Sequence, residues 1–163
     1  MPCILDIAIP STTTTKPWIY HYGRSINTIS SALYGSGKWM LFFSKPVLDD
    51  QWKLAVNTFN DLEFVEMIKC STAKPNPRSS DKSKGVIIFY CSMEDTENIM
   101  NTGKKILEIF NYDQEYIYFK TGDQTEVGTF ATGSRKNFTY KLENPKYVKY
   151  IKPICVLYEL LNC

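Results

Sequence analysis

Histidine and paired cysteines, the residues that hold most structural zinc ions, are scarce in this sequence. It has one histidine, His21, and its five cysteines stand far apart without a C-x-x-C pair: Cys3, Cys70, Cys91, Cys155 and Cys163. A zinc site of ordinary ligand spacing is therefore disfavoured, and we expect no metal or other cofactor. The odd cysteine count, with no charged and then apolar leader, predicts free thiols and a cytoplasmic location.

Long apolar runs and a strong charge imbalance are also absent. The longest apolar stretches, such as Val86 to Cys91, have the length of a strand and fall far short of the roughly 20 residues that span a membrane. Nineteen Lys and Arg residues against 17 Asp and Glu leave a net charge of +2, which excludes nucleic-acid binding by bulk charge alone. We therefore expect no membrane partner, and any site for an anion must be local.

Signatures of the common enzyme classes are missing as well. Gly35-Ser36-Gly37 precedes a predicted strand, whereas the glycine-rich turn of a dinucleotide-binding fold follows one. The sequence contains no P-loop motif, and the motifs of the familiar nucleophilic triads are absent. The sequence alone leaves open whether the protein is an enzyme.

The length and composition of the sequence are those of one ordinary globular domain. Its 163 residues are 44% apolar and 22% charged, close to the averages of globular proteins. The first 16 residues end in a polar run between Pro10 and Pro17 that cannot bury much surface. We predict a flexible arm over residues 1–16 and a single domain over residues 17–163.

Apolar periodicity predicts alternating strands and helices within this domain. Strands are expected at 37–43, 64–70, 86–91, 116–120 and 137–141. Helical stripes follow Asp49-Asp50 and the run from Ser92 to Asp95, whose acidic residues are expected to cap the two helices. Short glycine-rich turns late in the chain favour antiparallel pairing. We predict an α+β fold in which helices pack on one face of a curved antiparallel sheet.

Three finer expectations concern single strands. The run from 86 to 91 is apolar throughout and should be buried on both faces. Val65, Met67 and Lys69 stand at alternate positions of one predicted strand, so they should share a face. Cys91 ends a buried strand and is expected to be a small apolar residue with an unreactive thiol.

A series of segments between residues 37 and 140 follows a recognisable order. They are Gly37-Lys38-Trp39, the helix with Trp52, the basic stretch 69–84, the strand 86–90, the helix 96–110, the strand 116–119 and Gly133-Ser134-Arg135-Lys136-Asn137-Phe138. In this order they resemble the messenger-RNA cap-binding translation initiation factors. The chain is more similar still to the family of the basophilic-leukaemia-expressed protein, through Ser36-Gly37-Lys38-Trp39, Asp50-Gln51-Trp52 and residues 118–125.

The resemblance implies a cap-binding-like fold and a phosphate-gripping region of two basic loops near the base of the sheet. The residues that match these loops are Lys82, Lys84, Arg135 and Lys136. Trp39 and Trp52 match the structural tryptophans of the fold, which leaves Trp18 unassigned. The Trp-Glu pair that holds the methylated base in true cap binders is absent.

A basic stretch between residues 69 and 84 is the strongest local charge in the chain. It carries Lys69, Lys74, Arg78, Lys82 and Lys84 against the single acid Asp81, which is 5 − 1 = +4. Lysine and arginine on a serine-rich loop suit phosphate oxygens. The alternative is a solvated loop that keeps the domain soluble.

Aromatic residues near the start of the domain suggest a second candidate site. Trp18, Tyr20, His21 and Arg24 could form a mouth that combines stacking rings with a cation. The alternative is a strand packed in the sheet with its tyrosine hydroxyls in water. His21 is also the only side chain that titrates near neutrality without help, as a general base would.

These observations support three functions. The first is a non-catalytic binding module for a phosphorylated ligand, RNA or nucleotide, in which basic loops and aromatic stacking hold the ligand. The candidate ligand-binding residues are Trp18, His21, Arg24, Lys82, Lys84, Arg135 and Lys136. The alternatives are an adaptor that binds a protein partner and a metal-independent phosphodiesterase that uses His21.

Overall fold

The computed structural model describes residues 7–23, 36–92, 95–121 and 138–147. Within these ranges six strands form one sheet. The strands are β1 (Trp18–Tyr22), β2 (Ser36–Ser44), β3 (Val65–Ser71), β4 (Lys84–Ser92), β5 (Tyr116–Thr121) and β6 (Tyr140–Glu143). Two α-helices accompany them, α1 (Lys45–Thr58) and α2 (Thr96–Ile109), with short 3-10 helices at Pro10–Thr12 and Phe59–Asp61.

All neighbouring strands are antiparallel, in the order β1-β3-β4-β2-β5-β6. β4 therefore lies inside the sheet, between β3 and β2. Ile87 and Phe89 are buried on one of its sides, and Ile88 and Tyr90 are buried on the other. Burial of this strand on both faces, which its continuous apolar run predicts, is confirmed.

Both helices pack on one face of the sheet, where the main core lies. Trp52 of α1 and Ile106 of α2 belong to the same buried cluster as Trp39 of β2 and Phe89 of β4. The indole nitrogen of Trp39 donates a hydrogen bond to the carbonyl of Ile99 in α2, at 3.0 Å. For the described part of the chain, the predicted α+β fold with helices on one face of an antiparallel sheet is confirmed.

The sequence predicts the start of α2 correctly and the start of α1 incorrectly. Asp95 caps α2 by accepting a hydrogen bond from the backbone N–H of Glu97 at 2.9 Å, as expected. The expectation that Asp49-Asp50 caps α1 is wrong, because that helix begins earlier, at Lys45, and has Pro46 in its first turn. Proline lacks a backbone N–H and has a preset φ, so a first turn accepts it readily.

A bulge in β3 overturns the expectation that Val65 and Met67 share a face. Val65 lies opposite Cys91, and Met67 lies opposite Tyr90, so Glu66 is an extra residue between them. An inserted residue reverses the side on which the following side chains point. Val65 consequently packs with the helices and Met67 lies on the opposite side of the sheet.

Residues 7–17 pack against the domain rather than forming a free arm. Pro10 is buried, and its carbonyl accepts a hydrogen bond from the N–H of Ala73. Asp49, which does not cap its helix, accepts hydrogen bonds from the N–H and hydroxyl of Ser11. The indole of Trp52 donates to the carbonyl of Ala8 at 3.2 Å. A polar sequence here predicted an arm because backbone and side-chain hydrogen bonds of this kind leave no apolar pattern. Residues 1–6 of the predicted arm lie outside the described residues.

Candidate functional site

The side of the sheet away from α1 and α2 is called the open face below. Side chains alternate between the two faces along each strand. The open face consists of the even-numbered residues of β1, β2, β4 and β5, the odd-numbered residues of β3 from Met67 onward, and the odd-numbered residues of β6. Neither of the two helices in the described ranges packs on it.

A small apolar cluster forms the floor of the open face. Met67, Ile88 and Tyr90 are buried there, and Trp18 and Met40 pack against them. The cluster spans β1, β3, β4 and β2, so it gives the middle of this face a continuous apolar base. Polar side chains on the same face stand around this base.

Three lysines, called the lysine cluster below, come together on the open face. Lys38 of β2 lies directly opposite Lys120 of β5 and, on its other side, opposite Tyr90 of β4. Lys69 of β3 lies opposite Ile88, one pleat away from Tyr90 along β4. Residues far apart in the chain thus place three ammonium groups within neighbouring rows of one sheet.

The charges of the lysine cluster destabilise one another. Burial, and then the nearby positive charges of Lys69 and Lys120, lower the pKa of Lys38 from 10.5 to about 8. Burial also lowers the pKa values of Lys69 and Lys120. A lysine pKa falls in this way when the ammonium has lost water and has gained no anion in return.

Aromatic rings lie next to two of these ammonium groups, those of Lys38 and Lys69. The Lys69 Nζ lies 4.1 Å from the ring centroid of Trp18 and 5.6 Å from that of Tyr90. The Lys38 Nζ lies 6.0 Å from the Tyr90 centroid. Contacts of this kind stabilise a cation by only about 0.5–2 kcal/mol, so they orient the lysines without neutralising their charge.

Carboxylates are nearly missing from the described strand positions of the open face. These positions include five lysines, the three of the cluster together with Lys84 and Lys141, and one acid, Glu143. Glu143 belongs to the edge strand β6, opposite Tyr116, and Lys141 stands over that same ring at 3.8 Å. No described carboxylate lies on this face in β3, β4, β2 or β5, the strands that form or separate the lysine cluster.

Two tyrosines in β1 extend the open face to its edge. Tyr20 is 46% exposed and Tyr22 is 38% exposed. Their rings are parallel to within 6°, with centroids 5.8 Å apart. The hydroxyl-bearing rings are thus available as flat apolar surfaces beside Lys69, which lies opposite Tyr20 in the register of β1 and β3.

The predicted mouth at the start of the domain is divided between the two faces. Trp18 and Tyr20 lie on the open face, next to the lysine cluster. His21 lies on the opposite side of β1, where its ring meets the edge of Phe59 with centroids 5.0 Å apart. Partial burial lowers the pKa of His21. Because strand side chains alternate, His21 cannot share a surface with Trp18.

The basic stretch 69–84 is also divided. Lys69 belongs to β3, and Lys84 begins β4 at the other end of the open face, about 20 Å along the strand from Tyr90. Lys82 is exposed in the turn before β4. Asp81 in that turn accepts hydrogen bonds from the N–H and hydroxyl of Ser83, which together with the charge of Lys84 lower its pKa.

The other predicted binding residues, Arg24, Arg135 and Lys136, lie outside the described residues. The structure adds residues that sequence reasoning did not propose as a site, chiefly Lys38 and Lys120. In the sequence, each of these two lysines stands at an even-numbered position of a mostly apolar strand. That pattern indicates that the lysine points away from the core, but it does not show which strands are neighbours.

The described cysteines have no place in this site. Cys70 and Cys91 are free and buried, and burial raises both thiol pKa values, that of Cys91 to about 12. The expected burial of Cys91 is confirmed, and its raised pKa agrees with the prediction of an unreactive thiol. Across residues 7–23, 36–92, 95–121 and 138–147, no three His, Cys, Asp or Glu side chains come together in a way that could hold a metal ion. No helix in those ranges is long and apolar enough to cross a membrane.

Comparison with known proteins adds no assignment. No family model matches the sequence, and no curated protein matches it. The resemblance to the cap-binding fold therefore stays a prediction that depends on the sequence segments quoted above.

Proposed function

We propose that this protein is a non-catalytic binding module for a phosphorylated ligand, RNA or nucleotide, and that the open face is its binding surface. The observation that carries the proposal is the lysine cluster of Lys38, Lys69 and Lys120. Three ammonium groups share a partly apolar surface without a described carboxylate among them. A bound phosphate would supply the missing anion and would relieve their mutual repulsion.

The rings around the lysines favour a nucleotide over a bare anion. Trp18 and Tyr90 flank Lys69, and Tyr20 and Tyr22 present exposed parallel rings at the edge of the same face. Aromatic side chains next to cations are the usual means of holding a base and its phosphate together, because every base has a flat apolar surface.

The arrangement supports binding rather than catalysis. A phosphodiesterase that uses His21 as its base needs a lysine and a tyrosine on the same side of the strand, and His21 lies on the side opposite the lysine cluster. The adaptor alternative gives no reason for five lysines against one carboxylate on the open face. Free buried thiols at Cys70 and Cys91 are consistent with a cytoplasmic location, which is part of this proposal.

Tryptophan fluorescence is the direct test, because Trp18 is the reporter of the open face. The Lys69 ammonium lies 4.1 Å from the Trp18 ring, whereas Trp39 and Trp52 are buried on the other side and give a constant background. Titration with ATP, GTP, a methylated cap analogue, a cyclic dinucleotide and a short single-stranded RNA should quench the emission. Trp18→Phe should remove most of the signal.

Matched lysine variants locate the ligand. Lys120→Gln removes one cation of the cluster, whereas Lys105→Gln removes an exposed lysine of α2 on the opposite side of the sheet. We expect Lys120→Gln to weaken binding about tenfold or more, as the loss of one charge-assisted hydrogen bond would, and Lys105→Gln to leave it unchanged. The proposal would be overturned if no ligand of the panel quenched the fluorescence of the folded protein, or if the two variants weakened binding equally.

A further inference from the structure

The rings and lysines of the open face are spread across the sheet rather than gathered at one point. Tyr20 and Tyr22 lie on β1, Tyr90 lies on β4, and Tyr118 lies on β5. β1 and β5 are four strand spacings apart in the order of the sheet, which is about 19 Å. A single nucleotide cannot contact both ends of such a surface.

The register of the strands arranges these side chains in two neighbouring rows that run across the sheet. One row contains Tyr22, Met67, Tyr90, Lys38 and Lys120, and the next contains Tyr20, Lys69, Ile88, Met40 and Tyr118. In both rows a tyrosine on β1 is followed by at least one lysine on an inner or neighbouring strand. Rings and ammonium groups thus recur along the line that a chain of bases and phosphates would follow.

Stacking surfaces stand at both ends of this line. Tyr20 and Tyr22 are exposed and parallel at the β1 end. At the β5 end, Tyr118 is half-buried and its ring meets that of Phe138, with centroids 4.9 Å apart. The lysine cluster lies between the two ends, where the phosphates that link successive bases would have to pass.

We propose that the open face binds a short single-stranded nucleic acid of about four nucleotides, which crosses the strands from β1 to β5. The number corresponds to the lower end of the site sizes of single-strand binding surfaces. Bases stack at the Tyr20–Tyr22 pair and at Tyr118, and phosphates contact the lysine cluster. This inference rests on the proposed function and specifies the ligand of the same surface.

The contacts involved do not read base edges. Stacking on tyrosine accepts any base, and a lysine ammonium contacts phosphate without regard to sequence. We therefore expect weak sequence preference. RNA and DNA strands share this chemistry. The test therefore uses oligouridylate and oligothymidylate in parallel, and the tighter binder of the two shows which nucleic acid the surface prefers.

The test is a length series measured by competition against a labelled hexamer in fluorescence anisotropy. Competitors are the mononucleotide and oligomers of two, four, six and ten nucleotides. Affinity should rise at least tenfold from one to four nucleotides and then change little. Tyr20→Ala with Tyr22→Ala should weaken hexamer binding about tenfold and mononucleotide binding far less, because each lost stacking surface serves one base.

Tyr147→Ala is the matched control, since Tyr147 is similarly exposed, at 39%, and lies outside the strands of the open face. All three tyrosines are exposed, so thermal melting should confirm that the variants fold. A mononucleotide that binds as tightly as the hexamer, still weakened by Lys120→Gln, would overturn the strand inference and leave the proposed function standing. Absence of binding to every length would overturn the inference, and together with silence across the nucleotide panel it would overturn the proposed function as well. The inference would also be overturned if replacement of Tyr20 and Tyr22 by alanine left the hexamer affinity unchanged.

Discussion

Lys38 is an ammonium group held on an apolar floor, and its burial opposes folding. Its pKa is lowered to about 8 from 10.5 by burial and by the charges of Lys69 and Lys120. In the unfolded chain the same lysine is solvated and keeps its ordinary pKa of 10.5. Below pH 8 the folded protein therefore carries a charge that its surroundings disfavour, and this cost is present at neutral pH.

Replacement of Lys38 by methionine should stabilise the protein in a pH-dependent way. The cost of the charge is fully present below the folded pKa of about 8 and disappears as pH rises toward the unfolded value near 10.5. Urea unfolding should give Lys38→Met an advantage of about 2–3 kcal/mol at pH 7, shrinking toward zero by pH 10. Lys105→Met, at an exposed helix position, is the control. A pH-independent difference between Lys38→Met and the parent protein would contradict this account of the charge.

At the scale of elements, one glycine sets how closely α2 approaches the sheet. Gly103 is buried in α2 against the indole of Trp39 in β2. A Cβ atom at this position would lie 2.7 Å from Trp39 Cζ2 and 3.0 Å from Leu142 Cδ2. Trp39 is fully buried, and its indole N–H donates a hydrogen bond to the carbonyl of Ile99, so its ring cannot easily move away.

Gly103→Ala should therefore destabilise the protein although alanine is the better helix former. Propensity alone would favour the substitution by about 1 kcal/mol. Overpacking against an immobile indole costs about 1–3 kcal/mol, so we expect a net loss of about 1 kcal/mol and a Tm lower by several degrees. Asn101→Ala, exposed in the same helix, should leave Tm equal or slightly higher. A higher Tm for Gly103→Ala would show that α2 can move away from the sheet.

Sequence periodicity predicts most of these elements because each depends on nearby residues. The apolar run of β4 and the acidic cap of α2 are local signals, and both are confirmed. The start of α1 and the bulge at Glu66 were missed because tertiary contacts decide them. The Asp49 carboxylate accepts a hydrogen bond from Ser11 instead of capping α1, and the bulge places Met67 on the open face.

At the scale of the whole molecule, the lysine cluster could not be predicted from sequence. Lys38, Lys69 and Lys120 belong to three different strands, and only the order β3-β4-β2-β5 brings them together. Nothing in the local pattern of a strand encodes its neighbours. The sequence did identify Trp18, the excess of basic residues from position 69 onward and a strand that contains Lys69, but it gave no sign that this strand lies near Lys38 and Lys120.

The sheet thus separates two groups of basic residues. The lysine cluster lies toward one end of the open face, and Lys82 and Lys84 lie at the other end, at the start of β4. Lys84 is paired in register with Ser44, six residues along β2 from Lys38, or about 20 Å. A ligand that crosses the strands at the cluster would not reach Lys84, and a ligand gripped by the 72–83 connection would not reach Lys120.

Salt dependence distinguishes these two modes in one experiment. For single strands the slope of log K against log salt is about −0.7 for each phosphate neutralised, so contacts with the three lysines of the cluster should give a slope near −2. Lys120→Gln should make the slope shallower by about 0.7, whereas Lys84→Gln should change it little. The measurement is hexamer affinity between low and moderate salt for both variants. The opposite pattern, a slope that responds to Lys84 and ignores Lys120, would place the anion at the turn before β4 and remove the open face from the binding surface.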